Sequence, residues 1–302
     1  MKKFLLSILI LLLIGGYAIG NYFVDYALGR GINGEPPEAC VSIHDSSRQV
    51  PAQPAAINEQ WQIQSTDNLK LVATHFFPAE TSHKWIILVH GYGRDQRYVW
   101  DYVDEYLKRG FNVLTPDMRA AGNSEGKYLT MSTLESADVA LWTHEVVKHD
   151  SNAEIILHGI SMGAATVLMT AARTDCANLK AVIEDCGYTS AYEMFSDQLG
   201  ILFNLPAFPI MNCVDVVSKF KTDVYLSDAA PIEAVPNIKV PVLFIHGDAD
   251  KLVSVEMMNR LFDASTTKHK DKLIVADAGH GDSMVTDTNA YFNKIFDFLN
   301  QI

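Results

Sequence analysis

The sequence predicts an α/β fold: a mostly parallel sheet of eight strands, helices on both faces of that sheet, and a small helical cap. Short, wholly apolar runs alternate with helical segments along most of the chain. A G-x-S-x-G pattern at 159–163 joins one such run to a run of small residues, and two late apolar runs end in turns that carry an acid and a histidine. Wholly apolar strands are buried on both sides, as in parallel sheets covered by helices.

The N-terminal segment, 1–30, differs from the rest of the chain. Lys2 and Lys3 precede an apolar run at 4–14, interrupted only by Ser7, that continues with small and aromatic residues. Because this stretch is long enough to span a bilayer, we predict an uncleaved signal-anchor. The lysines keep the N-terminal end cytoplasmic, which makes a single-pass protein of the cell membrane with an extracellular catalytic domain. The tripeptide at 18–20 resembles a cleavage site, so secretion after cleavage is the alternative.

Composition narrows the function classes. The chain has 302 residues and a net charge of −12, which argues against a basic nucleic-acid-binding surface. Residues 31–56 carry several glycines and prolines and are predicted to be a linker or irregular arm, followed by one large domain at 57–302. The cysteines match no zinc-site spacing, and three of them are expected to be buried apolar residues: Cys176, Cys186 and Cys213.

The strands and helices of the large domain follow from its hydrophobic pattern. Trp61–Gln64 and Leu69–Phe77 flank a turn and predict an antiparallel hairpin at the edge of the sheet. The remaining predicted strands are wholly apolar and lie at 85–89, 111–114, 155–157, 181–183, 241–245 and 272–275. Helical segments follow most of them, at 98–109, 132–149, 162–173, 255–262 and 286–299. This alternation predicts right-handed crossover connections.

One interval interrupts the alternation of strands and helices. Residues 187–236 contain aromatic residues, methionines and, before Pro236, three prolines, but no clear strand. We predict that this interval is a helical cap over the carboxyl ends of the strands, where ligands bind in open α/β sheets. Its apolar side chains would then line an acyl pocket. The alternative is a surface excursion with a small core of its own.

The pattern Gly159-Ile160-Ser161-Met162-Gly163 predicts a nucleophile elbow, a tight turn between a strand and a helix. The serine hydroxyl is exposed on such a turn, and the flanking glycines are required because side chains there would collide with neighbouring elements. The turn also places Ser161 at a helix N-terminus, where backbone N–H groups favour negative charge.

A serine nucleophile needs a histidine base and an acid that orients it, in the chain order Ser, acid, His. His280 follows a late strand and a glycine, which suits it to reach Ser161 as general base. Two acids compete for the remaining position, Asp248 and Asp250. We favour Asp250, because a carboxylate a few residues past the strand end can bend back to the imidazole. Asp248 is expected to bond the backbone of its own turn.

Two backbone N–H donors are needed to stabilise the oxyanion. Met162, directly after the serine, is one, and Tyr92 in the loop after an early strand is the other. Three further histidines are given structural roles: His90, His158 and His246. Asp117 and Arg119 are expected to pair and brace the loop beside the oxyanion strand.

From these motifs the chain resembles the α/β-hydrolase superfamily, over roughly residues 60–302. The motifs are H-G-Y-G at 90–93, P-D-M-R-A-A-G-N-S-E-G at 116–126, G-I-S-M-G at 159–163, H-G-D-A-D at 246–250 and G-H-G at 279–281. More narrowly, it looks like membrane-anchored bacterial cell-surface hydrolases related to serine aminopeptidases and prolyl oligopeptidases. The resemblance implies the α/β-hydrolase fold, a triad of Ser161, Asp250 and His280, and oxyanion donors at Tyr92 and Met162.

The sequence therefore predicts a serine hydrolase, carboxylesterase or lipase-like, that cleaves acyl esters through an acyl-enzyme intermediate. It is expected to use no cofactor and no metal, and to work best at neutral to alkaline pH because the imidazole must be unprotonated. One alternative is a peptidase or amidase acting on short peptides. Others are an acyltransferase and a non-catalytic cell-surface binding protein that keeps the fold.

Overall fold

The structure is a computed structural model and describes residues 2–31, 34–40 and 49–302. The segment predicted as a linker or arm, 31–56, therefore lies partly outside the described residues. The chain begins with helix α1, Lys2–Leu28, which is long and apolar enough to cross a membrane. Its first half is exposed, whereas residues near its C-terminal end, including Val24 and Leu28, are buried against the rest of the protein.

Eight strands form one sheet. They are β1 (Asn58–Gln64), β2 (Lys70–Phe76), β3 (Lys84–Val89), β4 (Asn112–Pro116), β5 (Glu154–Ile160), β6 (Leu179–Asp185), β7 (Val242–Gly247) and β8 (Lys270–Val275). Their order in the sheet is β1-β2-β4-β3-β5-β6-β7-β8. The hairpin of β1 and β2 is antiparallel and lies at one edge, β2 also pairs antiparallel with β4, and all other pairs are parallel. The predicted fold class is confirmed.

Helices connect the strands and cover both faces of the sheet. They are α2 (Val103–Leu107), α3 (Glu135–His149), α4 (Met162–Arg173), α5 (Ala191–Phe203), α6 (Ala207–Thr222), α7 (Pro231–Ala234), α8 (Val255–Ala264), α9 (Ser283–Thr286) and α10 (Thr288–Leu299). A 3₁₀ helix, Gln96–Tyr102, precedes α2, so the first part of the helical segment predicted at 98–109 is wound more tightly than expected. The predicted bounds of α4 match those observed.

The two hydrophobic cores follow from the two-residue period of the strands. In β3, Ile87 faces a core shared with α3, α4 and α8, whereas its neighbours Ile86 and Leu88 face a core shared with α2 and α10. Wholly apolar strands can be buried on both faces only when helices cover both sides. The pattern read from the sequence therefore sets the layered arrangement.

The register of the parallel strands brings their carboxyl ends to one edge of the sheet. Val89 is level with Gly159, and Ile160 is level with Asp185 in the next strand. The loops that follow these strands must therefore meet at that edge, which is where open α/β sheets bind ligands.

The four cysteines are free thiols. Cys186 is buried, as predicted, and Cys40 is buried as well. Cys176 and Cys213 are only half-buried, which corrects the prediction for these two. Cys213 is on α6 and faces α1, and the sequence pattern did not indicate that contact.

Candidate active site

Ser161 lies on a strained turn between β5 and α4. Its backbone has φ +58° and ψ −118°, a combination that non-glycine residues seldom adopt. A Cβ at Gly159 would lie 2.1 Å from the carbonyl oxygen of Gly163, and one at Gly163 would lie 2.2 Å from that of Val89. These distances are far below van der Waals contact, so both flanking positions require glycine. The turn has the geometry that the pentapeptide predicts.

The structure brings Ser161, His280 and Asp250 together in a chain of hydrogen bonds. Ser161 Oγ is 2.7 Å from His280 Nε2, and His280 Nδ1 is 2.7 Å from Asp250 Oδ2. With Asp250 ionised, Nδ1 donates to the carboxylate and Nε2 is left to accept the serine proton. These are the three residues selected from the sequence, in the order the chemistry requires.

The Asp250 carboxylate is held by several donors. Its Oδ1 accepts the backbone N–H groups of Leu252 and Val253, each at 2.9 Å. Burial alone would raise the pKa of Asp250, but hydrogen bonds with His246 and His280 outweigh burial and hold the pKa well below its usual range. The carboxylate is therefore ionised throughout the neutral range.

His246 contributes more than the structural role predicted for it. Its Nε2 donates to the Val253 carbonyl oxygen at 2.8 Å and lies 3.2 Å from Asp250 Oδ2. Burial lowers the pKa of His246, but the hydrogen bond with Asp250 outweighs it and raises the pKa. The spacing of four residues between His246, near the end of β7, and Asp250 was a signal for this contact, since the turn that follows the strand can bring the two side chains together.

Asp248 accepts a backbone hydrogen bond, although not from its own turn as predicted. Its Oδ1 accepts the N–H of Asp277 at 2.7 Å, in the loop that follows β8. This bond links the loop that carries Asp250 to the loop that carries His280. Asp248 thus supports the same site from outside the hydrogen-bond chain.

The loop after β3 lies against Ser161. A Cβ on Gly91 would be 3.3 Å from Ser161 Cβ. Tyr92 is the next residue in the chain, so its backbone N–H is joined to a residue that borders Ser161. The Met162 N–H begins α4 directly after the serine. The two backbone groups predicted as oxyanion donors therefore belong to segments that border the serine.

The Tyr92 side chain connects this loop to two distant elements. Its hydroxyl donates to the Ala27 carbonyl oxygen of α1 at 2.5 Å, and its ring lies 6.2 Å from the Phe195 ring of α5 in an edge-to-face arrangement. The loop beside Ser161 is therefore held by the C-terminal end of the N-terminal helix. No sequence pattern indicated this connection.

His90 and His158 have the structural positions predicted for them. His90 is buried, accepts the Met118 N–H at Nε2 and lies 2.9 Å from the Gly91 carbonyl oxygen through Nδ1, so it braces the loop. His158 lies between the hydroxyls of Tyr106 and Tyr291. Burial lowers the pKa of His158 to about 3, so it is neutral at ordinary pH.

Arg119 braces its loop, but its partner is not Asp117. Its guanidinium binds both carboxylate oxygens of buried Asp138 on α3, at 2.7 and 2.8 Å, and also reaches Asp67 in the β1–β2 turn. Asp117 instead accepts the backbone N–H and side-chain amide of Gln96. The predicted pair was wrong because both side chains reach elements that are distant in the sequence.

Replacing Arg119 with methionine is expected to lower the free energy of unfolding by about 3–5 kcal/mol, because Asp138 would keep a buried charge without a partner. Urea denaturation of the two proteins measures the loss. Replacing Arg97, whose own side chain is 54% exposed in its ion pair with Asp95, should cost less than about 1 kcal/mol. Equal losses in the two variants would contradict the argument, as would failure of the Arg119→Met/Asp138→Leu double variant to regain stability.

A cavity of about 370 Å³ opens beside Ser161 and His280. The cavity is lined mainly by the 3₁₀ helix and the 277–286 segment. Its apolar and aromatic side chains are Tyr98, Val99, Tyr102, Ile160 and Val285, and its polar side chains include Arg94, Asp277, Asp282 and Thr286. Among the described residues that line it, none belongs to 187–236, so the prediction that cap side chains line the pocket was wrong. The apolar side chains of that insertion pack largely against α1 instead.

Within the described part of the chain, one group of side chains has its ligand atoms close enough for a metal ion: Cys186, Asp250 and His280, within 4.8 Å of one another. Asp250 and His280 are already hydrogen-bonded to each other at 2.7 Å. Burial raises the pKa of the Cys186 thiol well above its usual value, so the sulfur is protonated and a poor ligand. The donor set is better suited to proton transfer than to metal binding.

Fold and site together define a hydrolase built on a strand–serine–helix turn. The chain belongs to the alpha/beta hydrolase family, which matches residues 86–294. It is 27% identical over 231 residues to the uncharacterized protein YqkD of Bacillus subtilis, covering 76% of this chain and 74% of that one. It is 26% identical over 227 residues to the uncharacterized protein YfhR of Escherichia coli K12, covering 74% and 72%.

Solved structures share the fold. The Pyrococcus furiosus esterase Pf2001 is 22% identical and superposes with a TM-score of 0.68, over 85% of this chain and 99% of that one. The acylaminoacyl peptidase of Pyrococcus horikoshii is 17% identical with a TM-score of 0.60, over 81% of this chain and 42% of that one. At these identities the likeness establishes the fold, which carries many chemistries.

Proposed function

We propose that this protein is a serine hydrolase that cleaves carboxylic esters through an acyl-enzyme intermediate. The observation that carries the proposal is the hydrogen-bond chain from Ser161 Oγ to His280 and on to Asp250, with both links at 2.7 Å. A serine hydroxyl is a weak nucleophile unless a positioned base takes its proton, and this chain supplies the base and its orienting acid.

In the proposed reaction, Ser161 Oγ attacks the ester carbonyl carbon while His280 Nε2 takes the hydroxyl proton. The carbonyl oxygen becomes an oxyanion that accepts hydrogen bonds from the Met162 and Tyr92 backbone N–H groups. Collapse of this intermediate breaks the ester C–O bond, and His280 gives its proton to the departing alcohol. Water then attacks the acyl-enzyme with His280 again as base, which releases the acid and restores Ser161.

One observation favours esters over peptides. Apolar side chains such as Val99, Ile160 and Val285 line the cavity beside Ser161 and suit an acyl group. A peptidase acting on short peptides is therefore the second candidate.

We also propose a domain organisation and a location. Residues 1–30 form an uncleaved membrane anchor, 31–56 a connecting arm, and 57–302 the hydrolase domain, with 187–236 inserted as a cap. The apolar length of α1 supports the anchor. The Tyr92 hydroxyl, bonded to the Ala27 carbonyl oxygen, supports retention of the segment, because cleavage near position 20 would loosen the helix end that holds this loop. The hydrolase domain would face the outside of the cell.

The full chain in detergent micelles is expected to hydrolyse p-nitrophenyl esters, with a maximum rate at one acyl chain length between acetate and palmitate. The full chain is used because α1 holds Tyr92. Initial rates across the series measure the acyl preference, with Ser161→Ala as the inactive control. Turnover of aminoacyl p-nitroanilides without ester turnover would replace the esterase proposal with the peptidase. No turnover of either by folded protein would reject both.

A further inference from the structure

The second half of α1 packs against α6 through two glycines. Gly16 and Gly20 are one turn apart, and a Cβ on Gly20 would lie 2.5 Å from the Cys213 carbonyl oxygen and 2.8 Å from Val217 Cγ2. A Cβ on Gly16 would lie 3.2 Å from Cys213 Sγ. This G-x-x-x-G spacing in an apolar helix allows two helix backbones to approach closely. The N-terminal helix therefore has a partner helix in its own chain.

The contacts show that α1 and α6 run side by side in the same direction. Gly16 lies against Cys213, and further along both helices the Asp25 carboxylate pairs with Lys221 at 2.5 Å. The helix α6 is interrupted at Phe208, whose φ of −88° and ψ of 134° are not helical, so its regular part begins at Pro209. The helical rise from Pro209 to Cys213 is roughly 6 Å, which displaces the start of α6 toward the N-terminal, apolar end of α1.

The proposed span of α1 places the beginning of α6 at membrane depth. About 20 apolar residues cross the hydrocarbon core of a bilayer, and counted from Phe4 they end near Phe23. The first charge after Lys3 is Asp25, which agrees with that boundary. Gly16 then lies inside the hydrocarbon core, and the part of α6 that packs on it must lie at a similar depth.

The insertion has the surface that this depth requires. Large apolar side chains are exposed around the end of α5 and the start of α6, and we call them the apolar patch: Ile201, Leu202, Phe203, Leu205 and Phe208. Phe208 is 77% exposed. The Phe203 ring lies 5.4 Å from the Phe23 ring of α1, so the patch continues into the apolar surface of α1. Contiguous exposed apolar surface marks an interaction site.

Charged groups are kept out of the patch. The chain carries no charge between Asp197 and Asp215. Asp215 accepts the backbone N–H of Ser227 at 2.8 Å and its hydroxyl at 3.0 Å, so its carboxylate is satisfied within the protein. Lys219 and Lys221 follow later on α6, and Lys221 pairs with Asp25 at the proposed boundary of the hydrocarbon core.

We propose that the apolar patch inserts into the outer leaflet of the membrane beside α1, so that residues 187–236 form a second membrane-contacting element. This inference rests on the proposed anchor. A lipid bilayer is favoured over a second copy of the chain because the patch is continuous with the surface that α1 presents to lipid. Gly16 lies seven residues before Phe23, roughly 10 Å inside the proposed boundary of the hydrocarbon core, and the start of α6 lies no nearer that boundary, so we expect Phe208 to be buried by about 10 Å or more.

Tryptophan placed at Phe208 in the full chain, reconstituted in phosphatidylcholine vesicles, tests the proposal. Lipids brominated along their acyl chains are expected to quench most of the emission that Phe208→Trp adds to the wild-type signal. Leu12→Trp, on the exposed face of α1, should be quenched by bromines at a similar depth, because Leu12 lies about one helical turn before Gly16. Ile57→Trp, at an exposed position before β1, should keep its emission.

The outcomes separate the two proposals. Quenching at Leu12→Trp without quenching at Phe208→Trp would overturn the patch proposal and leave the anchor in place. If cross-linking then joined two chains through the patch, a second copy would be the occupant. Absence of quenching at both positions would overturn the anchor, and the patch proposal with it.

Two glycines supply a matched pair of variants. Gly20→Leu is expected to force α6 away from α1 and to reduce quenching at Phe208→Trp, since its side chain would meet the Cys213 backbone. Gly15→Leu should leave the quenching unchanged, because a Cβ there has no neighbour within 4 Å among the described residues. Equal quenching in the two variants would contradict the argument that α1 sets the depth of the patch.

Discussion

Replacing Ser161 with alanine is expected to lower kcat for ester hydrolysis by on the order of 10⁶-fold, the loss typical when a triad nucleophile is removed. The variant has no hydroxyl oxygen to attack the ester, so no acyl-enzyme can form. Stability should change little, because the hydrogen bond of the Ser161 hydroxyl is to His280 at the edge of the cavity. Initial rates and a fluorophosphonate label on the full chain measure the loss.

The matched control is Ser254→Ala. Ser254 is exposed at the N-terminus of α8 and its side chain makes no capping hydrogen bond, so activity and labelling should match the wild type. If folded Ser161→Ala protein hydrolysed esters at a rate comparable to wild type, the serine mechanism would be wrong. Labelling that persisted in that variant would show that another nucleophile reacts.

Replacing Asp250 with asparagine is expected to lower kcat by about 10⁴-fold. The asparagine amide can donate a hydrogen bond to His280 Nδ1. With Nδ1 as acceptor, the neutral imidazole carries its proton on Nε2. That tautomer cannot take the Ser161 proton. The substitution also removes the negative charge that stabilises the His280 imidazolium. In the wild type, the low pKa of Asp250 keeps this carboxylate ionised at every working pH. Measurement of kcat at neutral pH, with a thermal unfolding curve for each protein, tests this.

Asp248→Asn is the control that separates the two acids considered from the sequence. Asp248 accepts the Asp277 N–H at 2.7 Å and makes no contact with His280, and the asparagine side-chain oxygen can accept the same bond. Its kcat should stay within about tenfold of wild type. A larger loss of kcat for Asp248→Asn than for Asp250→Asn would show that Asp250 is not the acid that orients His280.

The hydrophobic pattern of the sequence was sufficient to predict the fold class. Wholly apolar strands such as β3 and β7 can be accommodated only in the middle of a covered parallel sheet, and the alternating run in β1 fits an exposed edge. Element boundaries were close for α4, where a glycine-containing turn and small residues mark the helix start. They were less close near Gln96, because a 3₁₀ helix and an α-helix share the same side-chain pattern over one or two turns.

The candidate site was largely predictable because its residues are tied to strand ends. Ser161 and Asp250 follow the buried strands β5 and β7, His280 follows the edge strand β8, and these parallel strands end at one edge of the sheet. Local sequence thus located each residue, and topology brought them together. The contact of His246 with Asp250 was missed, although a spacing of four residues in one turn was available as a signal.

Contacts between distant elements were the ones that sequence reasoning misjudged. Arg119 was assigned the nearby Asp117, yet it binds Asp138 and Asp67, because a long guanidinium side chain reaches whatever packs beside it. The cap was expected to line the pocket. The apolar faces of α5 and α6 are instead covered in large part by α1, which had been treated as separate from the folded domain.

The sequence by itself determined the sheet, the strained serine turn and the candidate residues around it, since these depend on local periodicity, glycine geometry and chain order. Only the tertiary structure decided which helix covers the insertion, which acids hold Arg119, and that α1 reaches Tyr92. Those contacts join segments far apart in the chain, and their free energy depends on shape and distance in three dimensions, which no local pattern encodes. Gly16 and Gly20 illustrate this difference. Their G-x-x-x-G spacing is visible in the sequence, but only the structure shows that α6 is the helix that packs on them.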